Sequence, residues 1–340
     1  MTKPEIPTST PREAIPPSAI PGMVPNESYY RQRDTNASRR SLGIALLVIG
    51  VIWLLNSAIL NKPPIFGGLG NDTVFDETYR ASRLVLNSGN ANVEVGRWNG
   101  EGIHVRAVQQ GGNGDDYTIT IDENNDTLTV GHSSTPCMFF CNRTLTYYIE
   151  LPAETPALIQ STSGDIEAGQ IAAGLDIKTT SGDISLNEIV GPLSIVTTSG
   201  DISLEDSQVL GANIATTSGE VYLDGVTNTV IVQTISGDVV IDGGNQARLE
   251  LSSTSGEISY RGTLASGSHL LNSISGEVSL NLPESSSFVI DANSISGEIR
   301  NDFPINTTIS SENKLQGQAG SGDALLKINT TSGDINIKQE

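Results

Sequence analysis

The amino-acid sequence predicts an all-β chain: a β-solenoid, β-helix-like, of about ten coils of 18–21 residues with an irregular β cap, preceded by one transmembrane helix. Three observations carry this. A Ser-Gly-(Asp/Glu)-(Ile/Val) tetrad recurs at nearly constant spacing through the C-terminal half, and apolar residues alternate with polar ones on both sides of each copy. Near the N-terminus a single uncharged apolar stretch stands between a proline-rich segment and everything else. Composition agrees, because aromatic residues are 5% and charged residues 17%, while small polar turn formers are abundant.

Residues 1–40 hold seven of the fifteen prolines and few aliphatic residues in any period. Such a segment cannot bury enough surface to offset its ordering entropy and is expected to be a disordered tail. From Ser41 to Leu60 the chain reads SLGIALLVIGVIWLLNSAIL, with no charge. Twenty residues at about 1.5 Å each match a bilayer core of about 30 Å, so residues 41–60 are expected to be a membrane-spanning signal anchor. Arg31, Arg33, Arg39 and Arg40 precede it and Lys62 alone follows closely, which places the tail in the cytoplasm and the rest of the chain outside it. A cleavable signal peptide fits less well: the apolar run is too long and no small-x-small cleavage site stands out.

Residues 61–74 read as a linker, and 75–156 as a β cap that is partly antiparallel. Leu84–Val95 has a strand, corner, strand layout, and Ile103–Ala107, Tyr117–Ile121, Thr127–Val130 and Thr144–Leu151 alternate at period two. Cys137 and Cys141 are the chain's two cysteines. Outside the cytoplasm they are either a local disulfide or two buried thiols; a metal site would need more ligands than the nearby His132.

The repeats occupy residues 157–340. Tetrads begin at Ser163, Ser181, Ser199, Ser218, Ser236, Ser255, Ser275, Ser296 and Ser332, and Ser321-Gly322-Asp323 reads as a degenerate copy inside the last, doubled interval. A hydroxyl residue stands two places before each serine, and an apolar residue four places before it. Three and five places after it come further apolar residues, with Asn301 the exception. One coil cannot bury this apolar face alone; stacking at about 4.8 Å buries it against its neighbours. Gly supplies the corner's backbone conformation, as in Ser181-Gly182-Asp183 and Ser199-Gly200-Asp201. Parity turns the Ser/Thr two places earlier inward, so a buried hydroxyl ladder is expected beside the aliphatic ones.

With Thr179-Thr180-Ser181-Gly182-Asp183-Ile184, Thr197-Thr198-Ser199-Gly200-Asp201-Ile202 and Thr330-Thr331-Ser332-Gly333-Asp334-Ile335 in view, the chain resembles a bacterial putative-adhesin family of β-strand-repeat envelope proteins over about residues 75–340. Tyr147-Tyr148-Ile149-Glu150-Leu151-Pro152 is similar to that family's strand before the repeats. The resemblance implies the fold and an envelope location; the family has no general activity to lend. The stretch from Gly43 to Asn56 is also similar to the membrane segments of bacterial envelope stress-response proteins.

Charge narrows the function. Residues 61–340 carry 13 basic and 35 acidic side chains, a difference of minus 22, which argues against nucleic acid and anionic lipid surfaces as partners. The three histidines, His104, His132 and His269, are isolated in sequence, and nine equivalent Ser-Gly-Asp copies describe a corner rather than a nucleophile, so no enzyme and no cofactor are expected. Asp165, Asp183, Asp201, Glu220 and Asp238 would stack as an acidic ladder able to hold calcium, although the glycine-rich calcium-loop pattern is missing and solvated turn charges are the simpler account. Two functions follow: an envelope binding or structural module that meets a protein, a glycan or a second copy, and an envelope-stress sensor acting through the span. Self-association would use an exposed last strand at Ile335–Ile337.

Overall fold

Alternation at period two gives each coil two short strands whose aliphatic side chains point the same way, and nothing within one coil covers them. The computed structural model describes residues 71–111, 116–136 and 143–340, and in it coils stack in parallel register. Ahead of the corner, Ile159, Ile177, Ile195 and Ile214 pair in sequence, as do Ile166, Ile184, Ile202 and Val221 after it. These side chains are at most 1% exposed, so the columns are the core. A third buried column, Ile171, Ile189, Val209 and Val226, closes the side where the chain returns. There Gln170, Glu188 and Asp206, then Gly225 and Gly243, take left-handed backbone conformations and make a second corner that carries no sequence motif as plain as the first.

The first corner is built on glycine. Gly200 has φ +110°, and a Cβ there would collide with the carbonyl oxygen of Gly182 in the coil below. The same collision recurs from Gly164 to Gly276 and on to Gly333 and Gly297, so backbones approach to a distance only glycine permits.

Both ends depart from simple winding. The strand pair Arg83–Gly89 and Asn92–Arg97 lies between the Ser163 coil and the strands Thr127–Ser134 and Thr144–Leu151. Beyond these, Tyr117–Asn124 pairs antiparallel with Thr127–Ser134. On the other face Ile103–Gln110 and then Asn71–Tyr79 add antiparallel edge strands. At the opposite end the final coil, Ala324–Ser332 and Ile335–Gln339, is inserted between the Ser275 and Ser296 coils. Ile335–Ile337 is therefore paired on both sides and is not the exposed edge that the order of the repeats suggests. In the Ser296 coil the strand Phe288–Ser294 is flanked on its far side by Lys314–Ala319, whereas the short strand after the corner is thinly covered: Ile299 is only partly buried and Asn301 replaces an aliphatic residue. Phe288 and Phe303, 5.2 Å apart edge to face, fill the core behind it. Ser321-Gly322-Asp323 forms no stacked corner; the residues before it make an antiparallel hairpin, Asn306–Ser311 with Lys314–Ala319.

The inward hydroxyls are buried as parity requires, except half-buried Ser161, and all but Ser294, which donates to the Gly333 carbonyl at 3.0 Å, fall into two groups. In the first coils Ser161, Thr179, Thr197 and Thr216 donate to the carbonyls of Ser163, Ser181, Ser199 and Ser218 at 2.9–3.1 Å. From the Ser236 coil onward, strands extend as far as the corner serine at Ser236, Ser255, Ser275 and Ser332. The carbonyls of Ser255, Ser275 and Ser332 are then taken by the N–H groups of Gly237, Gly256 and Gly276 in neighbouring coils. Thr234, Ser253, Ser273 and Thr330 are left as a buried, in-register file of hydroxyls without a hydrogen-bond partner.

The tail 1–40, the span 41–60, the linker up to residue 70 and both cysteines lie outside the described residues. No helix among the described residues is long and apolar enough to cross a membrane.

An unsatisfied buried hydroxyl carries a desolvation penalty, whereas a bonded one is a modest net gain. Thr234→Val is therefore expected to raise unfolding stability by about 1 kcal/mol and Thr197→Val to lower it by about 1 kcal/mol. Urea titration of the two variants should displace the midpoint in opposite directions; parallel shifts would contradict the two-group assignment.

Candidate interaction surface

The corner serines and acids are brought together as continuous columns. Ser181, Ser199 and Ser218 each donate their hydroxyl to a threonine carbonyl of the preceding coil, Thr162, Thr180 and Thr198 respectively. Asp165, Asp183 and Asp201 accept, through Oδ1, the backbone N–H of Asp183, Asp201 and Glu220 in the next coil, at 2.8–3.1 Å. Asp238 and Asp334 accept in the same way from Glu257 and Glu298. Asn92 begins the column, and its neutral carboxamide does the same for Asp165. The bond thus needs the reach of an Asx side chain and not its charge. Among the described residues no group of three or more His, Cys, Asp or Glu side chains is placed to hold a metal ion.

Asp201→Asn keeps the acceptor and removes one of several stacked charges, so it should match or exceed wild-type stability. Asp201→Ala should cost about 1 kcal/mol. Differential scanning calorimetry with and without calcium would check both, with no calcium-dependent shift expected in either.

Two outward-facing clusters were not foreseen. The first crosses the antiparallel cap. His104 lies between Asp76 of the edge strand, 2.8 Å from Nε2, and Glu150, 3.1 Å from Nδ1, with Trp98 stacked on its ring at 5.4 Å. Both ring nitrogens therefore face acceptors, which suits an imidazolium. Burial pushes the His104 pKa down, but the two carboxylate hydrogen bonds outweigh it and the net shift is upward. Arg106, next but one on the same face, lies 4.6 Å over the ring of Tyr148. Signals existed for this cluster, since residues 104, 106, 148 and 150 are the polar members of alternating strands, but their pairing depends on antiparallel register that sequence does not specify.

A group whose pKa is raised by folding stabilises fully below its unfolded pKa of about 6.5, and this contribution disappears as pH rises through the folded value. The edge strand should therefore loosen as pH is raised above about 6.5. Amide exchange in residues 71–79 should accelerate over that range in the wild type and become pH-flat, after correction for intrinsic rates, in His104→Gln.

The second cluster is a groove of about 380 Å³ lined by Asn228, Thr229, Gln246, Arg248, Leu264, Ala265 and Ser266. It arises from one extra residue. Thr227 pairs with Asn245 but Asn228 pairs with Ala247, so Gln246 bulges out in a left-handed conformation at φ +49°. Its N–H is held by the Thr263 hydroxyl at 2.7 Å. Below the groove floor His269 occupies a position where the other coils place an aliphatic residue, and it is 1% exposed. Its Nδ1 accepts the Leu249 N–H at 3.3 Å and its Nε2 donates to the Ala265 carbonyl at 2.8 Å, a pattern that requires the neutral ring. Burial holds the His269 pKa low, and the nearby Arg248 charge adds to that.

Columns of this kind over 71–340 identify a repeat architecture, and a model of the Toastrack DUF4097 family matches residues 81–338. The chain belongs to this family. All nine Ser-Gly-(Asp/Glu)-(Ile/Val) tetrads lie within the matched residues. Similar solved structures include a putative adhesin from Bacteroides fragilis NCTC 9343, at 14% identity and TM-score 0.38, covering 77% of this chain and 96% of that one. A putative lipid binding protein from Parabacteroides distasonis ATCC 8503 shares 13% identity at TM-score 0.38, over 80% of this chain and 97% of that one. A putative cell adhesion protein from Clostridium sporogenes ATCC 15579 shares 13% identity at TM-score 0.23, over 80% and 100%. No curated protein matches the chain. Membership rests on the family match alone.

Proposed function

We propose that this Toastrack protein is a membrane-anchored, extracytoplasmic module that binds an envelope partner without catalysing a reaction. The observation that carries the reading is how the repeated side chains are used. The corner glycines, the serines Ser181, Ser199 and Ser218, and the aspartates Asp165, Asp183, Asp201, Asp238 and Asp334 are engaged in holding neighbouring coils together, as are the aliphatic pairs. What varies from coil to coil is the outward set, such as Lys178, Val196, Ala215 and Gln233 on one flank and Ser185, Ser203, Tyr222 and Val240 on the other. Varied outward side chains on a uniform scaffold suit recognition. The uncharged stretch 41–60, with arginines before it, supports anchoring with the C-terminal domain outside.

The sensor reading draws on one feature, the His104 clamp on the edge strand that follows the anchor in sequence. In that reading the strand transmits envelope state toward residues 1–40.

Alkaline phosphatase fused after Glu340 is expected to be active in cells, and inactive when residues 41–60 are deleted. Cross-linking of the full chain in intact envelopes should capture a specific partner, and capture should survive deletion of residues 1–40. An inactive fusion would reject the topology, and the absence of any specific partner would reject the binding role. Unchanged capture together with a phenotype that disappears with the tail would favour the sensor.

A further inference from the structure

We propose that the groove beside Arg248 binds an acidic sugar, a saccharide unit bearing one carboxylate. The inference rests on the binding-module reading and names the ligand class for one site on it.

The lining is the starting point. In a domain with 35 acidic side chains, this groove is lined by none of them and contains a guanidinium. Arg248 donates from Nε to the carbonyl of Ser268 at 3.2 Å, which orients the side chain and leaves its terminal nitrogens for a ligand. A planar guanidinium matches the two oxygens of a carboxylate in a bidentate fork. Around it stand two carboxamides, Asn228 and Gln246, and two hydroxyls, Thr229 and Ser266. Each can both donate and accept, as the hydroxyl groups of a sugar ring require. The only apolar lining is Leu264 and Ala265, enough for one C–H face of a sugar and too little for a lipid chain. The volume of about 380 Å³ falls within the range of small-molecule sites. The strongly negative domain repels polyanions at long range, which favours a ligand with a single charge over a polyphosphate.

The groove is also held in shape. Asn228 and Gln246 both sit in left-handed backbone conformations, at φ +58° and +49°, which turns the carboxamides out of the strand. The Ala265 N–H donates to the Ala247 carbonyl at 3.0 Å while its own carbonyl is held by buried His269, so the floor is fixed from both sides. An aliphatic residue at position 269 would fill the core equally well but could not make those bonds. A recognition site gains affinity from such preorganisation, whereas a purely structural coil has no need of it.

The test is isothermal titration of the full chain in detergent micelles with three probes. These are a disaccharide carrying one glucuronate, its neutral parent disaccharide and inorganic phosphate. The acidic disaccharide is expected to bind at least about tenfold more tightly than either of the others. Arg248→Gln should reduce its affinity to that of the neutral parent, and Gln246→Gly, which keeps the bulge but removes the carboxamide, should weaken it as well. Arg261→Gln, outside the groove, should leave binding unchanged; thermal unfolding of each variant verifies that it is folded. No binding of the acidic disaccharide by wild type, equal binding by Arg248→Gln, or phosphate binding as tight as the sugar would each overturn the proposal. If wild type and Arg248→Gln capture the same envelope partner and neither binds the sugar, the groove assignment fails while the binding-module reading stands.

Discussion

Backbone-to-backbone contact at the Ser-Gly corner is the constraint on which the rest of the protein depends. Coils in a parallel stack repeat at strand spacing, and at the corner the carbonyl of one glycine occupies the space where the next would carry a side chain. That contact fixes register from coil to coil, and register decides which residues meet. It sets Ile177 over Ile159 and under Ile195, and it places each aspartate within reach of the next coil's amide. A one-residue slip would turn every aliphatic pair outward and every Lys or Glu inward. The corner is thus less a connection between strands than the gauge that aligns them.

Much of this architecture was legible because a repeat states its own register. The nine tetrads, the apolar positions four before and three after each serine, and the inward hydroxyls all follow from period two and a fixed corner. What stayed hidden depends on contacts between segments far apart in sequence. The tetrads appear in chain order, yet the last coil lies inside the stack, and the one clue was Asn301, an exception to a pattern that otherwise held. The acidic column invited a reading in terms of ions because charge is visible in a sequence and an amide N–H is not; Asn92, performing the same task without charge, shows what the position requires. His104 meets Asp76 and Glu150 only through antiparallel register, and His269 looks like any lone histidine until the bulge at Gln246 is seen above it.

The protein separates its two tasks by side-chain parity. Inward and corner positions are nearly uniform, and they carry the stability of a domain with few aromatic residues and no described helix. Outward positions drift from coil to coil, so the flanks change character along the sheet without disturbing the stack. The bulge at Gln246 is the clearest departure, where the scaffold itself is altered, and it coincides with a buried polar residue and a concave surface. A β-solenoid has few concavities, because its sides are sheets, and an inserted residue is one of the few devices that opens one.

The position of the final coil also constrains how this protein is made. Synthesis runs from the N-terminus, and coils up to Ser275 can stack as they emerge. The Ser296 coil emerges next but has no place against them in the finished structure, since its neighbour is still to be translated. It must either wait undocked or dock early and be displaced, and only when residues 324–339 are available can the stack close. Closure of the stack therefore waits on residues 324–339: a polypeptide that stops short of Ala324 has lost an interior layer, and the Ser275 and Ser296 coils lose the neighbour they share.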